Sequence, residues 1–305
     1  MRKGQRPPSR EDFFGLVHST AATDLIVIGV PWDATSSYRC GAAAGPDAIR
    51  AATSGRLYNR FTERGMDLAD IWKVCDHGNV KKAGDVPELK KRLAVAASLH
   101  NHANAPMLFL GGDHFVTYLC FRLVEEMQKQ SPSLLYFDAH PDLYESYEGS
   151  PYSHATVVSR ILDGDNTSKT VCYVGIRAST REQDERIKKL GFTTYTTQDV
   201  HARGSGAIAS LIRSTLSDKP VYLSIDLDCL DPAFAPGVGN PQPGGLSTRL
   251  MLDILQGIEG LKIVATDIVE YSPKFDSQRT TAFTAAILIK ELLGIMAQLH
   301  VKKQT

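Results

Sequence analysis

The chain has 305 residues, with 34 Lys and Arg against 34 Asp and Glu, so its formal net charge is zero. A chain of this length can bury a substantial core. The balanced totals give no sign of the strongly basic face that nucleic-acid-binding proteins carry, so we expect no nucleic-acid partner.

Cysteine usage and the chain ends predict a cytoplasmic protein. The five cysteines are widely spaced and form no CxxC pair, which favours free thiols in a reducing compartment. The N-terminus lacks the apolar segment of a secretory signal. The apolar stretch near the C-terminus is interrupted by Lys290 and Glu291, and we expect it to be too short to cross a bilayer.

The order of predicted elements indicates an α/β fold. Residues 1–22 predict a polar arm or a lead-in helix. Short apolar runs predict strands at residues 25–30, 107–110, 134–137, 171–174, 221–225 and 263–266. Helical patterns follow Gly45-Pro46 and cover about 86–103, 115–130, 181–190, 206–217, 247–258 and 279–299. This alternation predicts one domain over residues 1–305, with a mostly parallel central sheet and helices on both faces.

Acidic residues and histidines follow four of the predicted strands directly. Ligands bind at the carboxyl ends of the strands in sheets of this type, so these side chains are candidates for a site. The four segments are Gly111-Gly112-Asp113-His114-Phe115, Asp138-Ala139-His140-Pro141-Asp142, Asp226-Leu227-Asp228-Cys229-Leu230-Asp231-Pro232 and Asp267-Ile268-Val269-Glu270.

The spacing within these segments predicts that the side chains converge. Alternate residues of a strand point to the same side, so Asp138 and His140 share a face, as do Asp226 and Asp228. Asp142 follows where the chain turns away, and we expect it to fold back over the same point. Each motif alone is also compatible with an ordinary turn or a solvated loop, but their joint occurrence after buried strands favours a site.

Four carboxylates and two imidazoles at one point require cations. Like charges at such short range raise one another's pKa, and two divalent ions would neutralise the cluster. A mixed Asp and His set suits a first-row ion such as Mn²⁺, whereas a structural zinc site would favour Cys. Two ions about 3.5–4 Å apart activate a shared water in two-metal hydrolases.

Two stretches resemble the signatures of the ureohydrolase family, which contains the arginases and agmatinases. They are Leu134-Leu-Tyr-Phe-Asp-Ala-His-Pro-Asp142 and Ser224-Ile-Asp-Leu-Asp-Cys-Leu-Asp-Pro-Ala-Phe-Ala-Pro-Gly237. The resemblance covers nearly the whole chain, from Gly29-Val-Pro31 to Glu291. Phe115 and Leu119 depart from the family pattern around His114, where smaller residues are common.

The resemblance implies a three-layer α/β/α, arginase-like fold and a site for two Mn²⁺ ions per subunit. It also implies a small guanidino substrate, and a homotrimer or homohexamer with no membrane partner. Two residues, Asp138 and Asp226, would bridge the two ions. One ion would be bound by His114, Asp138, Asp142 and Asp226, and the other by Asp138, His140, Asp226 and Asp228.

Three residues carry catalytic roles by the same resemblance. Glu270 matches the glutamate that pairs with the substrate guanidinium, and His154 matches a histidine that transfers protons near the substrate. Asp142 is expected to deliver a proton to the leaving amine. The predicted reaction is hydrolysis of a guanidino C–N bond with release of urea.

Departures from the arginase pattern favour agmatine, which would yield putrescine. The loop at residues 143–152 lacks the arginase Ser-Gly-Asn pattern, and no acid pair follows Gly175-Ile-Arg177. The same loop resembles that of prokaryotic agmatinases. Glu145 and Glu148 together would suit the cationic end of agmatine, although each acid alone is better explained as a solvated loop charge.

Several alternatives stay open. The nearest are other amidinohydrolases of the same family: guanidinobutyrase, guanidinopropionase, formimidoylglutamase or arginase. A two-metal phosphoesterase is less consistent with the sequence, which contains no Gly-x-x-x-x-Gly-Lys loop for phosphate. A binding protein that uses the fold as a scaffold would be free to lose ligands, yet all six predicted metal positions are filled.

Overall fold

The computed structural model describes residues 13–17, 23–54, 57–99, 105–163, 169–217 and 219–304, with side chains up to residue 297. In this part of the chain, eight strands form one sheet and every adjacent pair of strands is parallel. The strands are β1 Leu25–Gly29, β2 Val74–Asn79, β3 Met107–Leu110, β4 Ser133–Phe137, β5 Val171–Ile176, β6 Thr193–Thr196, β7 Val221–Asp226 and β8 Ile263–Val269.

Helices cover both faces of the sheet, which makes the three-layer α/β/α architecture predicted from the sequence. The described residues contain nine α-helices: α1 Gly45–Ala52, α2 Val86–Ser98, α3 Phe115–Gln128, α4 Val157–Leu162, α5 Arg181–Leu190, α6 Thr197–Arg203, α7 Ser205–Leu216, α8 Thr248–Gly257 and α9 Thr280–Gln304. Strand residues alternate between the two cores. Leu135 and Phe137 of β4 pack with α1 and α6 to α9, whereas Leu134 and Tyr136 pack with α2 to α5.

The strand order is β2-β1-β3-β8-β7-β4-β5-β6. The four strands predicted to end in acids and histidines, β3, β8, β7 and β4, are therefore contiguous neighbours in the middle of the sheet. Because all strands are parallel, their carboxyl ends lie along one rim, where ligands bind in open α/β sheets. The fold thus delivers all four polar segments to one place.

The two edge strands were not predicted from the sequence. β2 ends in Asp76-His77-Gly78-Asn79, and all four residues of β6 are only half-buried. An edge strand is covered less than a central one, so it does not need the continuous apolar run that marked the other six. The bounds of the short helix α4 and the existence of the short helix α6 were not predicted. Each follows a capping box, formed by Ser153 with Thr156 and by Thr196 with Asp199.

The predicted N-terminal arm and the end of the predicted helix 86–103 differ from the structure. Residues 13–17 of the predicted arm are not helical; they bridge to Ser54 and Val74 and bury Phe13, Phe14 and Leu16. The rest of the arm, residues 1–12 and 18–22, lies outside the described residues, as do 100–104 of the predicted helix 86–103, which is helical only to Ser98.

The C-terminal apolar stretch was predicted to be too short to cross a bilayer, and this prediction of its length was wrong. Thr280–Ala297 of α9 has a mean hydropathy of 1.5 and the length of a membrane span. However, 83% of this segment is buried inside the protein, where it packs against α1 and α8. Burial on this scale is typical of the central helix of a protein core.

Candidate metal centre and active site

The first half of the candidate metal centre is arranged around the imidazole of His114, which directly precedes α3. Its Nδ1 atom lies 2.9 Å from Asp138 Oδ2, 2.9 Å from Asp226 Oδ2 and 3.4 Å from Asp142 Oδ2. All four side chains are buried. One imidazole nitrogen and three carboxylate oxygens therefore converge on a single point at the sheet rim.

The second half lies beside it and shares Asp138. His140 Nδ1 lies 3.1 Å from Asp228 Oδ2 and 3.4 Å from Asp138 Oδ1. Asp138 thus directs one oxygen to each histidine, as a ligand that bridges two cations would. The structure brings together all six side chains that the sequence predicted as metal ligands.

Turns, rather than strand alternation, place these residues. β4 ends at Phe137, and the His140 amide donates to Asp138 Oδ1 at 2.6 Å. In the same way, the Asp228 amide donates to Asp226 Oδ1 at 2.7 Å. Such Asx-type turns bring the side chain of residue i close to residue i+2. The predicted proximity was right, but alternation along a strand was the wrong reason for it.

Buried hydrogen bonds fix the tautomer of His114. Ser224 Oγ donates to Asp267 Oδ1 at 2.6 Å, so it can accept from His114 Nε2, which lies 2.9 Å away. With the proton on Nε2, the Nδ1 atom can present a lone pair to a cation at the point where the carboxylates converge, as a metal ligand must. On the other side, the Tyr136 hydroxyl donates to Asp142 Oδ2 at 2.8 Å and orients that carboxylate.

The electrostatics of the cluster are those of a site built for cations. Burial raises the pKa of Asp142 to about 8, with a further contribution from Asp138. Burial and the Asp228 carboxylate raise the pKa of Asp226. The pKa of His140 rises to about 12, because Asp228 and Asp138 outweigh the opposing effect of burial. The cluster therefore favours positive charge at this point of the rim.

The residues present fit a pair of first-row divalent ions. The donor set is mixed Asp and His, which such ions accept. Asp138 Oδ2 is buried and accepts no well-aligned hydrogen bond from the described residues. A buried carboxylate oxygen without such a bond is costly unless a cation binds it. Within the described chain, two groups have ligand atoms close enough to hold an ion: His114, Asp138 and Asp142, and Asp138, His140 and Asp228.

Glu270 and His154 lie next to the cluster and contact each other. Glu270 follows β8 with a left-handed backbone (φ 63°), and its Oε1 atom accepts from the His114 amide at 2.8 Å. The same oxygen lies 3.1 Å from His154 Nδ1. Burial lowers the pKa of His154, but the hydrogen bond and charge of Glu270 prevail and raise it to about 9.

These residues share a cavity of about 500 Å³ at the sheet rim. The metal ligands, Glu270 and His154 were predicted from the sequence, but most residues of the cavity walls were not, because they come from loops whose conformation has no simple sequence signal. The walls include Ser37, Tyr38, Arg39, Tyr144, Tyr147, Gln183, Asn240 and Gln242. Asn240 and Gln242 lie three and five residues after Gly237, the end of the second stretch that resembles the ureohydrolase signatures, and this was the one available hint of their position.

The two acids expected to hold a cationic substrate end are not among the cavity-lining residues. The Glu145 carboxylate forms ion pairs with Arg160 and Arg186, and its side chain is 68% exposed. Glu148 is exposed as well. Glu145 is engaged by two arginines and does not line the cavity, whereas Tyr144 and Tyr147 from the same loop do.

A buried Asp/His cluster at the carboxyl rim of a parallel α/β/α sheet defines the class of binuclear metallohydrolases. Comparison with known proteins gives the family. The Arginase family model matches residues 23–294. The chain therefore belongs to the arginase family, whose members are binuclear-metal hydrolases of guanidino C–N bonds.

Relatives with different substrates are similarly close. The chain is 37% identical to a mitochondrial arginase of Medicago truncatula, over 91% of this chain and 83% of the relative. It is 35% identical to an agmatinase of Enterobacter sp. (strain 638), over 90% and 88%. The structure of a proclavaminate amidino hydrolase from Streptomyces clavuligerus superposes with a TM-score of 0.84 at 33% identity, covering 97% of this chain and 98% of that one.

Proposed function

We propose that this protein hydrolyses the guanidino C–N bond of a small linear substrate and releases urea. The observation that carries the proposal is the position of Glu270, a buried carboxylate directly beside the Asp/His cluster in the same cavity. A carboxylate there can pair with a guanidinium through two parallel hydrogen bonds. The guanidino carbon is then held next to the metal centre.

Different residues of the cavity have different roles in the proposed reaction. His114, Asp138, His140, Asp142, Asp226 and Asp228 would hold the ions. When bound, two divalent cations lower the pKa of a shared water and so supply the nucleophile. Glu270 orients the guanidinium and balances its charge. Asp142, on the cavity wall, gives a proton to the leaving amine, and His154 exchanges protons with solvent.

Agmatine is the substrate that we propose, with putrescine as the second product. The absence of the arginase recognition patterns in residues 143–152 and after Arg177 supports it. The structure adds Tyr144 and Tyr147, whose rings lie on the cavity wall and can receive an ammonium group by cation–π interaction. These rings, rather than Glu145 and Glu148, would then hold the ammonium end of agmatine.

Arg39 favours a second candidate, an ω-guanidino acid such as 4-guanidinobutyrate. Among the described residues that line the cavity, Arg39 is the one charged side chain that is neither a predicted metal ligand nor a predicted catalytic residue. Its guanidinium lies 5.1 Å from the Tyr38 ring centroid and 5.0 Å from that of Phe275. A substrate carboxylate would pair with it.

A matched pair of substrates separates the two candidates. Agmatine and 4-guanidinobutyrate share the guanidino group and a similar chain, and differ in the charge at the far end. We expect kcat/KM for urea release to be at least about tenfold higher with agmatine, the effect of one desolvated cation–π contact. A higher value for 4-guanidinobutyrate that falls in Arg39→Gln would instead establish the acid as substrate.

We also propose manganese as the bound metal and a cytoplasmic homotrimer or homohexamer as the working form. The Asp and His donor set suits Mn²⁺, and the described cysteines form no disulfide, in keeping with a reducing compartment.

A further inference from the structure

A short segment between β1 and α1, Thr35-Ser36-Ser37, is held between two parts of the site. On one side it bonds to Asp113, the residue before His114. On the other side it bonds to His154. Neither Asp113 nor this segment has a role in the reaction described above.

Asp113 fixes the segment to the end of β3. Its Oδ2 atom accepts from the Thr35 amide at 2.9 Å and from the Thr35 hydroxyl at 2.7 Å, and the Asp113 carboxylate is fully buried. The Asp113 amide in turn donates to the Trp32 carbonyl at 2.7 Å. The same turn that presents His114 to the metal centre therefore also sets the position of Ser37.

Ser37 contacts the nitrogen of His154 that faces away from Glu270. The Ser37 hydroxyl lies 2.8 Å from His154 Nε2, and the Ser37 amide donates to the same nitrogen at 3.2 Å. The His154 amide also donates to the Thr35 carbonyl at 3.1 Å. The imidazole is thus held at both ring nitrogens, with Nδ1 toward Glu270 and Nε2 toward Ser37.

These two contacts favour a proton on one ring nitrogen and none on the other. The Glu270 carboxylate stabilises a proton on Nδ1. A backbone N–H can only donate, so the Ser37 amide favours a bare Nε2. The hydroxyl of Ser37 can donate to a bare Nε2 or accept from a protonated one, and it lies on the cavity wall. Nε2 is therefore the position at which His154 can gain or lose a proton.

We propose that Ser37 is a positioning residue that holds His154 through Nε2 and connects this nitrogen to the water of the cavity. This inference rests on the proposed function, since it completes the proton path of His154. In the path, Ser37 Oγ gives its proton to Nε2 while it takes one from a solvent water. Nδ1 keeps its proton, hydrogen-bonded to Glu270, throughout, and the reverse transfer from Nε2 through Ser37 Oγ returns the proton to solvent, so the proton count balances.

Replacing Ser37 isolates the hydroxyl, because the backbone amide stays. We expect Ser37→Ala to lower kcat for urea release by about tenfold, part of the 10²–10⁴ that proton transfer contributes. KM should change less than about twofold, because Glu270 still pairs with the guanidinium. Ser37→Thr keeps the hydroxyl and should recover most of kcat.

Two readouts separate this role from a merely structural one. Added imidazole should raise kcat of Ser37→Ala with increasing concentration and leave the wild type unchanged, since a small base replaces the missing relay. The control is Ser36→Ala in the same segment, whose hydroxyl lies 3.3 Å from Asp113 rather than near His154. Unchanged kcat in Ser37→Ala, or a low kcat that imidazole does not raise, would overturn the proposal.

A measurement without turnover tests the contact itself. In ¹⁵N-histidine-labelled protein loaded with diamagnetic Zn²⁺, Ser37→Ala should shift the Nε2 resonance of His154 and leave Nδ1 nearly in place. The resonance is assigned by its loss in His154→Asn. An unmoved Nε2 signal would contradict the contact. If the wild type released no urea from any guanidino compound, the proposed function would fail. The ¹⁵N measurement would still show whether Ser37 contacts His154 Nε2.

Discussion

Asp228→Asn is expected to lower urea release by on the order of 10³-fold and to reduce the bound metal below two ions per chain. Asp228 lies 3.1 Å from His140 in the second half of the centre. Asparagine has nearly the same shape, and its carbonyl oxygen can still accept from the Ala139 amide that Asp228 binds at 3.1 Å. The substitution therefore removes one negative charge and changes little else.

The measurement is urea release together with metal analysis of the purified variant. Asp253→Asn is the matched control, because this acid lies on α8, pairs with Arg249 and is 42% exposed. It should keep wild-type activity and metal content. Wild-type urea release by Asp228→Asn with full metal occupancy would remove the metal centre from the reaction.

Glu270→Gln is expected to lower kcat/KM by about 10²–10³-fold, the cost of leaving one partner of a buried charge pair without its counter-charge. Glutamine keeps the length of the side chain and can still accept from the His114 amide, which donates to Glu270 Oε1 at 2.8 Å. It loses the charge that pairs with the guanidinium. Metal content should stay at the wild-type level, because Glu270 is not a ligand.

Glu145→Gln is the matched comparison for Glu270→Gln, because it removes the charge of an acid that does not line the cavity. Glu145 lies in the loop between Asp142 and His154 and forms ion pairs with Arg160 and Arg186. The structure therefore predicts that kcat/KM for agmatine stays within about twofold of wild type, as for other exposed ion pairs. Equal losses in Glu145→Gln and Glu270→Gln would mean that Glu270 has no special part in guanidinium binding.

The central strands could be predicted from the sequence because they are buried on both faces. A strand such as Leu134–Phe137 must be apolar throughout, and such a run is visible without a structure. The edge strand Thr193–Thr196 carries no such constraint, since only part of its surface is covered. Its pairing with β5 depends on contacts that are distant in the sequence.

The metal ligands could be predicted for a related reason. They follow the central strands within a few residues, so the topology alone brings Asp138 and Asp226 to one rim. The cavity walls depend instead on loop conformation. Ser37 reaches His154 because Asp113, at the end of another strand, fixes its loop. Such a tertiary contact has no local pattern.

Glu145 and Glu148 show the limit of assigning charges by loop membership. Both acids lie between Asp142 and His154 in the sequence, two residues that line the cavity. In the loop between them, Tyr144 and Tyr147 line the cavity, whereas Glu145 and Glu148 are exposed and Glu145 pairs with Arg160 and Arg186. A loop residue faces the substrate only if the backbone directs it there.

The most direct test is the anomalous scattering of crystals grown with Mn²⁺. The cluster should show two peaks about 3.5–4 Å apart. Asp138 and Asp226 should lie between the peaks, His114 should ligate one ion and His140 the other. A single peak, or two ions held by other residues, would contradict a two-cation centre at this rim and the guanidine hydrolysis inferred from it.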